Sequence, residues 1–122
     1  MDLSREALQK LESAQNIWFS SVRPNGHPHM APIWFAWYQE KLYVCIEAES
    51  VKGRNIAKNP FVVLALEDGS NPVICEGRAE PLTAPWPEAV TTIFMRKYDW
   101  DLNVEKRYTQ LLMVTPEKWL YW

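Results

Sequence analysis

The chain is 122 residues long, with 13 Lys and Arg against 15 Asp and Glu and a formal net charge of −2. That length makes one domain over residues 1–122, and the near-neutral balance excludes general nucleic-acid binding, which needs many phosphate-neutralising cations. Hydrophobic residues make up 48% of the chain, enough for a core, yet no stretch reaches the length of a transmembrane helix, so no membrane partner is expected.

Leu3, Ala7, Leu8, Leu11 and Ala14 recur at three- and four-residue steps, which predicts an amphipathic helix capped by Ser4 or Asp2. The same segment is charged from its first residues and lacks a signal-peptide pattern, so the cytoplasm is the expected compartment. Ile17 to Val22 reads as a strand, and Pro24-Asn25-Gly26 supplies the turn after it. A second strand is predicted from His29 to Tyr38. Pro32 inside it cannot donate to a ladder, which puts that position at a bulge or a sheet edge. After a turn at Gln39-Glu40-Lys41, Leu42 to Ala48 form a third strand. A short helix from Val51 to Lys58 follows, closed by Asn59-Pro60.

Phe61 to Leu66 is apolar throughout, the pattern of a strand buried on both faces. A turn over residues 67–71 leads to a strand from Val73 to Leu82. Pro85-Trp86-Pro87 then opens a helix from Glu88 to Tyr98, with Val90, Phe94 and Tyr98 along one line. Residues 99–106 are polar and irregular, Trp100 being their large aromatic. Gln110 to Thr115 and Lys118 to Tyr121 close the chain with β pattern around Pro116. Five to seven short strands with only short helices between them predict a mainly β fold, a closed or partly closed antiparallel barrel. A doubly wound parallel sheet would need longer crossover helices.

The residues with most chemical content lie between Val22 and Pro60. Ser50, Lys52, Arg54 and Asn55 open a helix, where unpaired N–H groups and the helix dipole favour an anion such as a phosphate. A solvated basic helix face has the same composition. The preceding strand adds Trp34, Phe35, Trp37 and Tyr38 as walls for a flat ring. Seven Trp exceed what one small core can hold, so some belong to a ligand face or a dimer interface. Cys45 and Cys75 sit in apolar runs without a Cys-x-x-Cys spacing, and read as buried free thiols. His27 and His29 flank Pro28 without further ligands at metal spacing, so no metal site is expected. No nucleophile motif and no Gly-rich phosphate loop is present, and no catalytic residue is assigned. If the protein is an enzyme, a redox cofactor does the chemistry.

The stretches RPNGHPHMAPIWFAW, LYVCIEAESVKGRNIAKNP, VICEGRAEPL and VTPEKWLYW together resemble the pyridoxamine 5′-phosphate oxidase-like FMN-binding split-barrel superfamily. The resemblance runs from about Ala7 to Trp122 and is specific as a set rather than in any one piece. It implies a split β-barrel of six or so antiparallel strands and a homodimer with one FMN in each of two clefts between subunits. By position, Met30, Ala31, Pro32, Ile33 and Trp34 would lie along the isoalloxazine ring. Glu47 and Ala48 would lie near its pyrimidine side or the ribityl chain, and Ser50, Lys52, Arg54 and Asn55 would hold the phosphate. The implied activity is that of an FMN-dependent oxidoreductase acting on a small-molecule redox substrate.

True oxidases of the superfamily carry an Arg directly before the phosphate-binding Lys, where this chain has Val51, and a basic residue at about Trp34. A C-terminal segment for the pyridoxal substrate is not expected in a chain ending at Trp122, so pyridoxamine oxidation is not expected either. Other members use the deazaflavin coenzyme or haem. A deazaflavin-dependent reductase and a non-catalytic flavin or haem carrier are therefore the alternatives, with His27 and His29 the histidine candidates for haem.

Overall fold

The structure is a computed structural model and describes residues 3–122. Among these residues the chain forms, in order, α1 (Arg5–Ser13), β1 (Ile17–Val22), β2 (Pro28–Ile33), β3 (Ala36–Tyr38), β4 (Lys41–Ile46), α2 (Val51–Lys58), β5 (Phe61–Leu66), β6 (Val73–Pro81), α3 (Glu88–Tyr98) and β7 (Gln110–Tyr121). Ser4 caps α1, its hydroxyl accepting the Ala7 N–H at 3.1 Å. Asp2, the other candidate cap, lies outside the described residues. All seven strands belong to one sheet, in the order β2-β1-β5-β6-β7-β4-β3, and every pairing is antiparallel. The fold is mainly β, with three short helices, as the sequence predicts.

The strand predicted over His29 to Tyr38 is in fact two. It breaks at Trp34 and Phe35, and the halves lie at opposite edges of the sheet. Two residues can span those edges only if the sheet curls until they nearly meet, which makes the half-closed barrel. Pro32 sits on β2 opposite Trp18, on an edge strand where its missing N–H costs no ladder bond. At the other end of the chain the two segments around Pro116 are one strand, β7. The ladder tolerates Pro116 through a register shift between Glu76 and Gly77. Gly77 has no substitute there, since a Cβ would come within 2.4 Å of the Thr115 carbonyl oxygen.

The interior of the curl holds one apolar cluster, including Leu11, Phe19, Phe35, Leu42, Val44, Ile46 and Leu64. A second cluster lies outside it, where Val90 and Phe94 of α3 pack on Ala36, Tyr43, Cys45 and Leu111. This helix buries both faces of β4. The sequence expectation for β5 is corrected here. Its residues alternate between buried and open, and Phe61 and Val63 are 47% and 40% exposed, because no helix lands on its outer side. No helix among the described residues is long and apolar enough to cross a membrane.

Candidate functional site

Local sequence builds one end of the site. β4 ends at Ile46, and the chain folds back over Glu47–Ser50 into α2. Ser50 is the N-cap: its hydroxyl accepts the Gly53 N–H at 3.2 Å and donates to the Glu47 carbonyl at 2.6 Å. Gly53 lets this turn close, since a Cβ there would stand 2.2 Å from the Ala48 carbonyl oxygen. The helix start is therefore clamped against the end of β4. The N–H groups of Val51 and Lys52 keep no partner among the described residues.

A cleft of about 510 Å³ opens in front of this helix start, lined by Pro32, Ile33 and Trp34 of the β2 end, Cys45 to Glu47 of the β4 end, Ser50, Lys52, Asn16, Trp100, Glu105 and Tyr108. Six of the residues singled out in the sequence come together in it: Pro32, Ile33, Trp34, Glu47, Ser50 and Lys52. Five do not line it. Met30 projects on the outer face of β2, 59% exposed, while Ala31 is half-buried and Ala48 is exposed. Arg54 is exposed on α2, and Asn55 turns inward, 2% exposed, donating from Nδ2 to Ser21 Oγ at 3.0 Å. That bond ties α2 to β1 across the core. Of the aromatic residues expected as walls, only Trp34 reaches the cleft. Phe35 is in the inner core, Trp37 packs edge-on against Trp119, and Tyr38 packs on the outer cluster.

The aromatic wall of the cleft is assembled from residues distant in sequence. Trp34 stacks on Tyr98 with ring centroids 4.5 Å apart and planes 6° from parallel, and meets Trp100 edge-on at 5.7 Å. Trp100 in turn stands at 88° to Tyr108. Its Nε1 donates to Glu105 Oε1 at 2.6 Å, and Glu105 Oε2 accepts the N–H groups of Arg107 and Tyr108. These bonds, the Trp100 one foremost, hold the Glu105 carboxyl below its ordinary value. The break between β2 and β3 is fixed by α3. Tyr98 Oη accepts the Phe35 N–H at 3.0 Å and donates to the Gln15 carbonyl at 2.8 Å, and Lys97 Nζ donates to the Phe35 carbonyl at 2.9 Å.

Electrostatically the cleft is lined by a cation at the helix start, Lys52, which makes no ion pair among the described residues. Arg107, which does not line the cleft, is committed to Glu47 at 2.7 Å. Burial pushes the Cys45 thiol up to about 12, and its Sγ donates to the Tyr108 carbonyl at 3.1 Å. A thiol held protonated is a wall and not a nucleophile. His29 lies outside the lining. Burial, then Arg23 and Lys52, hold it below its ordinary value, and its Nδ1 is enclosed without a partner among the described residues. No group of three metal-ligating side chains occurs among the described residues. Trp100, Glu105 and Tyr108 escape sequence reasoning. The one signal is that a lone Trp in a polar segment has to rest on something.

The family model for pyridoxamine 5′-phosphate oxidase matches residues 3–122. Solved structures with the same fold include HutZ, the haem storage protein from Vibrio cholerae, 17% identical, with 99% of this chain and 95% of that one covered at a TM-score of 0.83. A putative pyridoxamine 5′-phosphate oxidase from Listeria innocua is 20% identical over 95% of this chain and 94% of its own, with a TM-score of 0.76. An F420 reductase is 21% identical over 97% and 98%, with a TM-score of 0.73. No curated protein sequence matches the chain.

Proposed function

The chain belongs to the pyridoxamine 5′-phosphate oxidase family, and we propose that it binds FMN in this cleft and serves as a flavin-dependent oxidoreductase. The observation that carries the reading is the pairing of Lys52 with two helix N–H groups unpartnered among the described residues, in a cleft whose walls are mostly apolar and aromatic and whose two carboxylates, Glu47 and Glu105, are engaged by Arg107 and Trp100. Two backbone donors, a dipole and one ammonium suit a phosphate monoester. Ser50 contributes by capping the helix, since its hydroxyl is already engaged. Pro32 and Ile33 offer an edge-strand backbone and apolar side chains to the flat part of the ligand. FMN, when bound, supplies the electron-transfer chemistry. This chain's residues bind it, orient it and exclude water from one side.

Neither histidine lines the cleft, so flavin suits it better than haem. The deazaflavin coenzyme is the alternative ligand, the one in the name of the F420 reductase neighbour. Its longer charged tail asks for more cations than Lys52 at the helix start.

The active form we propose is a homodimer. Trp18, Met30, Phe61 and Val63 share the outer face of β2-β1-β5 at 39%, 59%, 47% and 40% exposure. A second copy is the partner that such a face, continuous with the Pro32 edge of the cleft, would take.

Lys52→Ala tests the phosphate assignment. It is expected to weaken FMN roughly tenfold or more while leaving riboflavin, which lacks the phosphate, nearly unchanged. Equal losses for both ligands would overturn it.

A further inference from the structure

We propose that the Trp34–Trp100–Tyr108 corner is a substrate subsite for a flat aromatic ring carrying no negative charge, separate from the place of the flavin. It rests on the reading that FMN holds the Lys52 end.

The corner is a built surface. One face of Trp34 is spent on Tyr98, yet the residue is still 44% exposed, with Trp100 edge-on beside it and Tyr108 at a right angle beyond. Rings set at right angles offer a ligand both a floor to stack on and a wall to meet edge-on. The rings are held before any ligand arrives: Trp100 by Glu105 at 2.6 Å, Tyr98 by Phe35 and Gln15. Such preorganisation lowers the cost of binding.

Charge then selects the ligand. The Glu105 carboxylate lines the same end of the cleft. The cations beside these rings, Arg107 over Tyr108 at 5.4 Å and Lys97 at 5.1 Å from Tyr98, are already engaged, by Glu47 and by the Phe35 carbonyl, and neither lines the cleft. Lys52 stands at the helix start and is taken up by the phosphate. An anionic ring at the corner would face Glu105 without a counter-charge, whereas an uncharged or cationic ring meets electron-rich aromatic faces. The cleft thus offers a phosphate the cation Lys52 and an uncharged ring the aromatic corner.

Calorimetric titration with two probes of equal ring size, 2-naphthalenemethanol and the anion 2-naphthoate, tests this on the protein with and without saturating FMN. The alcohol is expected to bind at least about tenfold tighter than the carboxylate in both forms. Tyr108→Leu and Trp100→Leu are each expected to weaken the alcohol roughly three- to tenfold with FMN affinity unchanged. Tyr108, 36% exposed, carries the test if the Trp100 variant does not fold. Glu105→Gln narrows the gap between the probes. Equal binding of the two probes, or variants that bind the alcohol as wild type does, would overturn the subsite. Competitive displacement of the alcohol by FMN overturns it too, while leaving the flavin reading intact. The expected probe preference in a protein that takes up no FMN sinks the flavin reading and leaves the subsite standing.

Discussion

The outer side of β4 is sealed by α3, whereas the outer side of β5, six apolar residues in a row, faces solvent. Both strands are apolar enough to be core, and the chain covers only one of them. The covered half owes its rigidity to that helix. Phe94 fills the layer between α3 and the sheet, and Tyr98 and Lys97 grip the backbone at Phe35, the point where the barrel's two edges are joined. Trp34, next in line, inherits a fixed position at the cleft. The outer face of the bare half does nothing for the fold of one copy and is the face that the proposed dimer would use.

Substitutions in the two halves are expected to act differently. Phe94→Ala empties the centre of the covered layer, and a cost of about 3–5 kcal/mol in denaturant unfolding is expected. Val63→Lys on the bare half should leave folding almost untouched, because the new ammonium lies directly across the ladder from Glu76. Its effect is on association: light scattering is expected to report a dimer for wild type and a single chain for the variant. If Val63→Lys unfolds the chain, or Phe94→Ala costs nothing, the two halves do not divide in this way.

The smallest effect concerns Lys97. Its ammonium is held down to about 8 from 10.5 by burial, and its partners are a carbonyl and the faces of Phe35 and Tyr98. Between about 8 and 10.5 the unfolded chain therefore binds more protons at this site than the folded one, and the contribution of Lys97 to stability rises with pH through that window. The thiols of Cys45 and Cys75, pushed up to about 12 from 9.0 by burial, act in the opposite direction at alkaline pH, so wild type alone will not show it. The difference between wild type and Lys97→Met isolates the term. It is expected to move in favour of wild type as pH rises from 8, and a difference independent of pH contradicts the burial.

Much of the fold is legible because it is written locally. The Ser50 cap, the Val51–Lys58 helix, the Pro24-Asn25-Gly26 turn and the edge position of Pro32 all follow from neighbours in sequence. The break at Trp34–Phe35 is not legible. Ile33, Trp34, Phe35, Trp37 and Tyr38 around it all favour a strand, and what breaks it is the curl of a sheet whose edges are far apart in pairing order. Asn55 shows the same limit within the site. It sits in a helix start rich in polar residues, and only packing reveals that it turns to Ser21. The aromatic corner draws on residues 34, 98, 100 and 108, brought together by α3 and an irregular segment that has no period to read.

The most direct test of the cleft is the absorbance spectrum of protein purified without added cofactor, with any released ligand identified by mass. Flavin bands and the mass of FMN, near one per chain, are the predicted result. Protein that carries deazaflavin coenzyme or haem instead, and does not retain FMN after incubation and desalting, would contradict the assignment.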